Sequence, residues 1–259
     1  MITIPKGKEP PKRTEPRSMI IYSAGKMGKT AVCAQIPKGL IVEHELGGTD
    51  AIEARAVYID NPNALPELFA QLKTDDTVDV LVIDTVSHWD SWSDTVGTYS
   101  YMGKPQGKKW NVIEGVRINH LDPRFDSVHA LGQGFGYRYS REVMLKWFNA
   151  AIATNKTVIF LAHIKDKFIE AKSGDVVETI DLNLTGKVKS IYSSNVDAIA
   201  HLKRVGNKSW LVFDSLGDVL AGSRYAYLKG EILIGESDEK GNLNTYWSSI
   251  FPSLFKINK

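Results

Sequence analysis

The sequence is poor in the features that would settle its class at once. Cys33 is the single cysteine in 259 residues, which excludes an intramolecular disulfide and fits a reducing compartment. Charge of neither sign dominates. Lys+Arg number 32 and Asp+Glu 30, so the chain is no polycation that coats nucleic acid indiscriminately, and any nucleic-acid surface must be local. No apolar run reaches membrane-spanning length and no secretory leader is visible. A soluble, cytoplasmic protein with no membrane partner is therefore the expectation. No motif repeats at a fixed period and no low-complexity tract occurs. With 43% hydrophobic residues the length suffices for one sizeable core.

What is present is organised. Residues 1–18, "MITIPKGKEPPKRTEPRS", hold four prolines among mostly basic charges and predict a flexible arm, since they bury too little to offset their ordering entropy. "SMIIYS" and "GLIVEHE" then read as buried strands with a short helix between them. Asn63 is a candidate cap for a helix over "ALPELFAQL", and "VDVLVIDT" is a β-branched apolar run ending in a carboxylate. These are βαβ units, which place strands in parallel. Residues 97–139 show no clean period and read as an inserted loop region. Ser140 is placed to cap a helix carrying Val143, Met144, Trp147, Phe148, Ala151 and Ile152 at helical spacing. "TVIFLAHIK" is another buried strand. From Val196 on, "VDAIAHLKR", "KSWLVFD" and "LKGEILI" read as antiparallel strands, the first two joined by a hairpin at "VGN". The fold class is thus α/β, a mainly parallel central sheet flanked by helices with antiparallel strands at its C-terminal end. Residues 19–235 form the core and residues 236–259 a tail.

The stretch "YSAGKMGKT", residues 22–30, carries the chemistry. A phosphate loop needs Gly, four free positions and then Gly-Lys-Ser/Thr; Gly28, Lys29 and Thr30 close that pattern, while Ser23 stands at the first glycine. Ser23 sits at a strand end, where a hydroxymethyl adds little bulk, and Gly25 and Gly28 keep the phosphate's approach open. The binding loop is therefore Ser23, Ala24, Gly25, Lys26, Met27, Gly28, Lys29, Thr30 and Ala31. Backbone N–H groups cradle the β-phosphate of ATP, Lys29 reaches the β/γ-phosphates, and the Thr30 hydroxyl reaches Mg²⁺. Alanine at position 24 departs from the partition ATPases, which carry a signature lysine there. Asp84, closing "VDVLVID", is the second Mg²⁺ residue. Glu45 is the acid expected to act on the attacking water, with Glu43 as rival; alternation puts both on one side of the strand and His44 on the other. Trp89 and Trp92, which follow Asp84, read as packing aromatics.

In order along the chain, "MIIYSAGKMGKT", "LIVEHELGGTD", "VLVIDT", "VIFLAHIKDK" and "TGKVKSIYSSNVDAIAHLKR" resemble the RecA core. More narrowly, they are similar to phage-encoded RecA-like P-loop ATPases that accompany single-strand annealing proteins. The resemblance spans residues 19–234. It implies that Glu45 is catalytic and that His163 stands where the family usually has a glutamine that senses the γ-phosphate. It further implies that residues 165–189 are a mobile DNA-binding loop using Lys165, Lys167, Lys172, Lys187 and Lys189. Arg224 in "AGSR" matches a cation donated to a neighbouring subunit's site, with Lys203 and Arg204 as rivals. The function implied is DNA-dependent ATP hydrolysis by an oligomer, ring or filament, that binds single-stranded DNA in recombination or annealing beside a single-strand-binding or annealing protein. "MITI" is a candidate strand for a neighbour's sheet edge. Two rival functions are a RecA-core helicase loader or remodelling ATPase, and a nucleotide switch with negligible turnover.

Overall fold

The computed structural model describes residues 6–170, 176–215 and 219–255, with side chains for all of these except 166–170 and 176–180. In chain order the elements are β1 (Ser18–Ser23), α1 (Lys29–Ala34), β2 (Gly39–Glu43), β3 (Ala56–Tyr58), α2 (Leu65–Leu72), β4 (Val80–Asp84) and α3 (Val86–Met102). A short hairpin, β5 (Val112–Ile113) and β6 (Val116–Arg117), precedes α4 (Tyr137–Ile152). Then come β7 (Thr157–Glu170), β8 (Val176–Leu182), α5 (Lys187–Asn195), β9 (Ala198–Val205), β10 (Lys208–Val212), β11 (Gly222–Ser223), β12 (Glu231–Ser237) and β13 (Leu243–Thr245).

The main sheet runs β13-β12-β10-β9-β1-β7-β4-β2-β3. From β9 to β3 every neighbouring pair is parallel, and from β9 to β13 every pair is antiparallel. The α/β fold class, mostly parallel with an antiparallel C-terminal side, is therefore as the sequence implies. The run "SMIIYS" is buried throughout, with apolar side chains at its centre, because both faces are covered. Ile20 and Tyr22 enter one core with Trp89, Phe148 and Phe160, while Met19 and Ile21 enter the other with Val82, Ile159 and Trp247. Each fully buried side chain of this kind contributes about 2 kcal/mol.

Several sequence boundaries move. Residues 97–102 are the last turns of α3 rather than part of a loop; Gly97 sits there because a Cβ would lie 2.8 Å from the Ser140 nitrogen of α4, so the two helices touch backbone to backbone. Residues 103–136 hold short 3₁₀ turns and the β5–β6 hairpin. Ser140 caps nothing: α4 begins at Tyr137, and the Ser140 hydroxyl bonds to Nε2 of His129 at 2.8 Å. Asn61, not Asn63, does the capping before α2, its side chain accepting from the Asn63 N–H. Residues 236–255 are no tail, because Trp247, Ile250 and Phe251 are buried in the second core and Trp247 Nε1 donates to the Val32 carbonyl at 2.7 Å. Of the N-terminal arm, Glu15 is fixed by bonds from the Ser253 N–H and hydroxyl at 2.8 and 2.6 Å. "MITI" lies outside the described residues. Among those residues no helix is long and apolar enough to cross a membrane.

Candidate nucleotide site

The site forms where the parallel strands end. Beyond β1 the chain turns through Lys26 at φ 63° and Gly28 at φ 89° before entering α1. The left-handed conformation at Gly28 costs a glycine little and turns successive N–H groups inward. No side chain caps α1, so its first amides remain open to an anion. A cavity of about 510 Å³ lies over this loop, and Lys29, Thr30, Glu43, Glu45, Asp84 and His163 all reach it.

Lys29 is buried, and its Nζ donates to the Ser23 carbonyl and hydroxyl, both at 3.2 Å, and to the Ala24 carbonyl at 3.0 Å. Burial lowers its pKa, opposed by the charges of Asp84, Cys33 and Glu45. Ser23 thus has a contact of its own, a hydroxyl that accepts from the loop lysine. The Thr30 hydroxyl donates to Asp84 Oδ2 at 2.6 Å. Burial raises the Asp84 pKa, while the Thr30 bond and Lys29 lower it. Hydroxyl and carboxylate meeting beside a buried, carboxylate-free lysine head is a donor set that fits a nucleotide phosphate with a divalent cation.

The two glutamates differ. Strand β2 ends at Glu43, which is in register with Asp84 on β4. Glu43 is half-buried, and its Oε2 is buried with no hydrogen-bond partner. Glu45 lies past the strand end, its side chain 62% exposed and 3.6 Å from His88 Nδ1. Alternation holds through both, since both line the cavity and His44 points away from it. His44 is buried, its Nδ1 hydrogen-bonded to the Ile59 carbonyl at 3.0 Å and its Nε2 accepting from Trp89 Nε1 at 2.9 Å. Those bonds make Nδ1 the protonated nitrogen, and burial pushes the pKa down to about 4. Trp89 is packing, as its apolar surroundings imply, but it also locks the strand end that carries both glutamates. Gly48 also lines the cavity, and His88 stands beside Glu45; neither was legible in the sequence, since one lies in a turn and the other on a helix face.

His163 on β7 is the neighbour of Ser23 on β1 and lines the cavity. Its pKa is lowered by burial first and by Lys29 second, so at neutral pH it presents an uncharged imidazole. Beyond it, β7 runs on and pairs with β8 as an antiparallel hairpin, from Ile164↔Leu182 to Glu170↔Val176. Part of the segment 165–189 is therefore regular β-structure leading into α5, not a loop. Lys165 and Lys187 are exposed, whereas Lys189 is paired with Asp181 Oδ2 at 2.6 Å. The side chains of Lys167 and Lys172 lie outside the described residues.

The three candidate cations are not together. Arg224 follows β11, which pairs with the start of β9, and so stands at the end of the sheet away from the cavity. Its guanidinium donates to Asp197 Oδ1 at 3.2 Å and to the Ser194 carbonyl at 2.8 Å. Lys203 and Arg204 lie on β9 beyond His201, the neighbour of Tyr22, and hence at the phosphate end. Lys203 pairs with Glu231 at 2.9 Å.

The chain is similar in fold to a KaiC-like protein from the hyperthermophilic archaeon Pyrococcus horikoshii OT3, with 14% identity, 88% of each chain covered and a TM-score of 0.44. Among curated proteins none matches it. The family described as AAA domain (AAA_24) matches residues 15–229, a span that takes in the phosphate loop, Asp84, His163 and Arg224. With that match over most of its length, the chain belongs to the AAA-domain family.

Proposed function

We propose that this ATPase is DNA-dependent: it hydrolyses ATP in the cavity over Lys29, binds single-stranded DNA along the β7–β8 hairpin, and works as a homo-oligomer in recombination or strand annealing of the phage type, beside a single-strand-binding or annealing protein. The observation that supports this reading most is the continuity of β7. One strand carries His163 in the phosphate cavity and, two residues later, the exposed Lys165 at the base of the hairpin. Ligands at either place act on the same strand, and coupling of this kind is reciprocal in binding free energy.

Within the cavity, Lys29 and the amides of the loop hold the phosphates, and Thr30 and Asp84 hold the metal. Mg²⁺, when bound, neutralises charge developing on the transferred phosphoryl group. A strand-end glutamate accepts the proton of the attacking water. Glu45 is the residue that the resemblance implies; the unpartnered buried oxygen of Glu43 favours Glu43 as the second reading. His163, uncharged, lines the cavity and would serve as the γ-phosphate sensor there. Arg224 is the cation proposed to complete a neighbour's site, with Lys203 and Arg204 the alternatives already at the phosphate end.

The test is fluorescence anisotropy on labelled single-stranded DNA over a salt series, with and without a non-hydrolysable ATP analogue, together with ATPase rates with and without DNA. The reading expects nucleotide to tighten DNA, DNA to raise turnover, and replacement of Lys165, Lys167 and Lys172 by alanine to weaken binding alike across sequences and flatten its salt dependence. A wild type with no DNA affinity at low salt, even with nucleotide, overturns the DNA reading and leaves the ATPase.

A further inference from the structure

A second cavity, about 590 Å³, opens beside Trp92, whose ring packs against His44. One wall is α3, where Trp92 and Tyr99 stand two helical turns apart and so share a face. Asp60, Asn61 and Asn63, from the turn after β3, form the rim, and His120 arrives from the segment between α3 and α4. The Tyr99 hydroxyl binds the backbone N–H of His120 at 3.0 Å and its Nδ1 at 2.9 Å. That pair fixes the imidazole beside the phenol and leaves Nε2 without a partner among the described residues. The carboxylate of Asp60 and the side-chain amide of Asn63 likewise have no protein partner there.

Aromatic faces beside unpaired hydrogen-bonding edges match the two requirements of a nucleobase: a surface to stack on and groups to meet its edge. The charge around the cavity points the same way. Residues 104–124, which deliver His120, carry Lys104, Lys108, Lys109, Arg117 and Arg124 against Glu114 and Asp122 alone. Arg124 is paired with Asp122, but Lys104, Lys108 and Lys109 have no acidic partner among the described residues. A chain otherwise nearly neutral thus carries a local excess of cations in the segment that supplies His120 to the cavity, which suits a polymer of phosphates with unstacked bases.

We propose that this cavity receives an unstacked base of single-stranded nucleic acid, stacked on Tyr99 and Trp92, with the cations of residues 104–109 on the adjoining phosphates. The inference rests on the reading of the chain as a single-strand binder and adds a site that the hairpin does not contain. It also has a route to the ATPase centre. Trp92 meets His44 edge-on with ring centroids 4.7 Å apart, and His44 sits between Glu43 and Glu45.

The experiment compares anisotropy of labelled dT30 with that of an abasic oligonucleotide of equal length, for the wild type and for a Tyr99→Ala, His120→Ala double variant. Tyr99 is 38% exposed and His120 is exposed, so circular dichroism and ATP affinity should be unchanged. The expected result is a loss of roughly ten-fold on dT30, the scale of one lost base stack, and no loss on the abasic strand. Tyr99→Phe, which keeps the ring, should stay within about two-fold of the wild type. A second readout needs no variant: photocrosslinking of a 5-iododeoxyuridine strand should map to Trp92, Tyr99 or His120. Equal affinity of wild type and double variant for dT30, or crosslinks only to the β7–β8 hairpin, overturns the inference while the single-strand reading stands. If the wild type binds neither oligonucleotide at low salt, both fall.

Discussion

The two ends of the central sheet have opposite electrostatic characters. At the starts of the strands, polar groups are paired with one another. Arg17 donates to the Ile152 carbonyl at 2.6 Å and to Asn155 Oδ1 at 2.8 Å, Asp197 Oδ2 accepts from the Arg17 N–H at 2.9 Å, and Lys156 is bonded to the Asp75 carbonyl. A cavity of about 410 Å³ opens there beside Arg13, Arg17 and Lys156, yet the cations of Arg17 and Lys156 are already engaged. At the strand ends the pattern reverses. Lys29 is buried against neutral oxygens only, Glu43 keeps an unpartnered buried oxygen, and His163 is held neutral. Buried polar groups left short of partners cost stability unless a ligand completes them. The first end holds the fold together; the second leaves buried polar groups short of partners, as the proposed nucleotide site requires.

That contrast is sharpest at two cationic anchors, the buried Lys29 and the half-buried Arg17. Lys29→Ala should abolish measurable ATP binding in calorimetry, because the β/γ charge then loses its buried cation, while Arg17→Ala should leave ATP affinity at the wild-type level. Wild-type affinity in Lys29→Ala would remove the P-loop reading. Next in size is the pair of glutamates. Glu45→Gln is expected to keep ATP bound and to slow steady-state hydrolysis by about two orders of magnitude, the usual scale for a lost general base, with Glu43→Gln affecting turnover far less. If the two effects are interchanged, the base is Glu43, and its unpartnered buried oxygen is the one that meets the water.

The smallest effect belongs to the paired end. Asp197 has a largely buried side chain that accepts from the backbone N–H groups of Arg17 and Ser18 and pairs with Arg224. Asp197→Ala should lower unfolding free energy by about 2 kcal/mol, since two amides lose an acceptor, as read by denaturant titration. ATP affinity should not move. A parallel fall in affinity would show that the ends are coupled, and the contrast between them would then be one of degree.

Much of this was legible in the chain. The runs "SMIIYS" and "VLVID" announce strands covered on both faces, and Gly28-Lys29-Thr30 with a carboxylate at Asp84 announces the phosphate site, because these signals are local: a turn that needs glycine, and a strand that ends where its carboxylate is wanted. Helix α3 was not legible. Its sequence "VSHWDSWSDTVGTYSYM" has no simple apolar stripe, since Trp89 serves the core and donates to His44, while Ser87 and Asp90 bond to the hairpin's return at Asn183 and Thr185, and Gly97 meets α4. Nor was the C-terminal segment. Trp247 and Phe251 read as isolated aromatics after a charged stretch, and only the packing of that segment against α1 gives them a core.

The sequence by itself determined the βαβ order, the Gly28-Lys29-Thr30 loop, the strand-end carboxylate of Asp84 and the strand that leads to His163, because periodicity and turn chemistry act over a few residues. Only the tertiary structure decided which glutamate lies buried in register with Asp84, that Arg224 stands at the far end of the sheet with Asp197, and that Trp92, Tyr99 and His120 share one cavity. Those choices depend on strand register and on contacts between residues far apart in the chain, where the geometry of the whole sheet, not local propensity, fixes what meets.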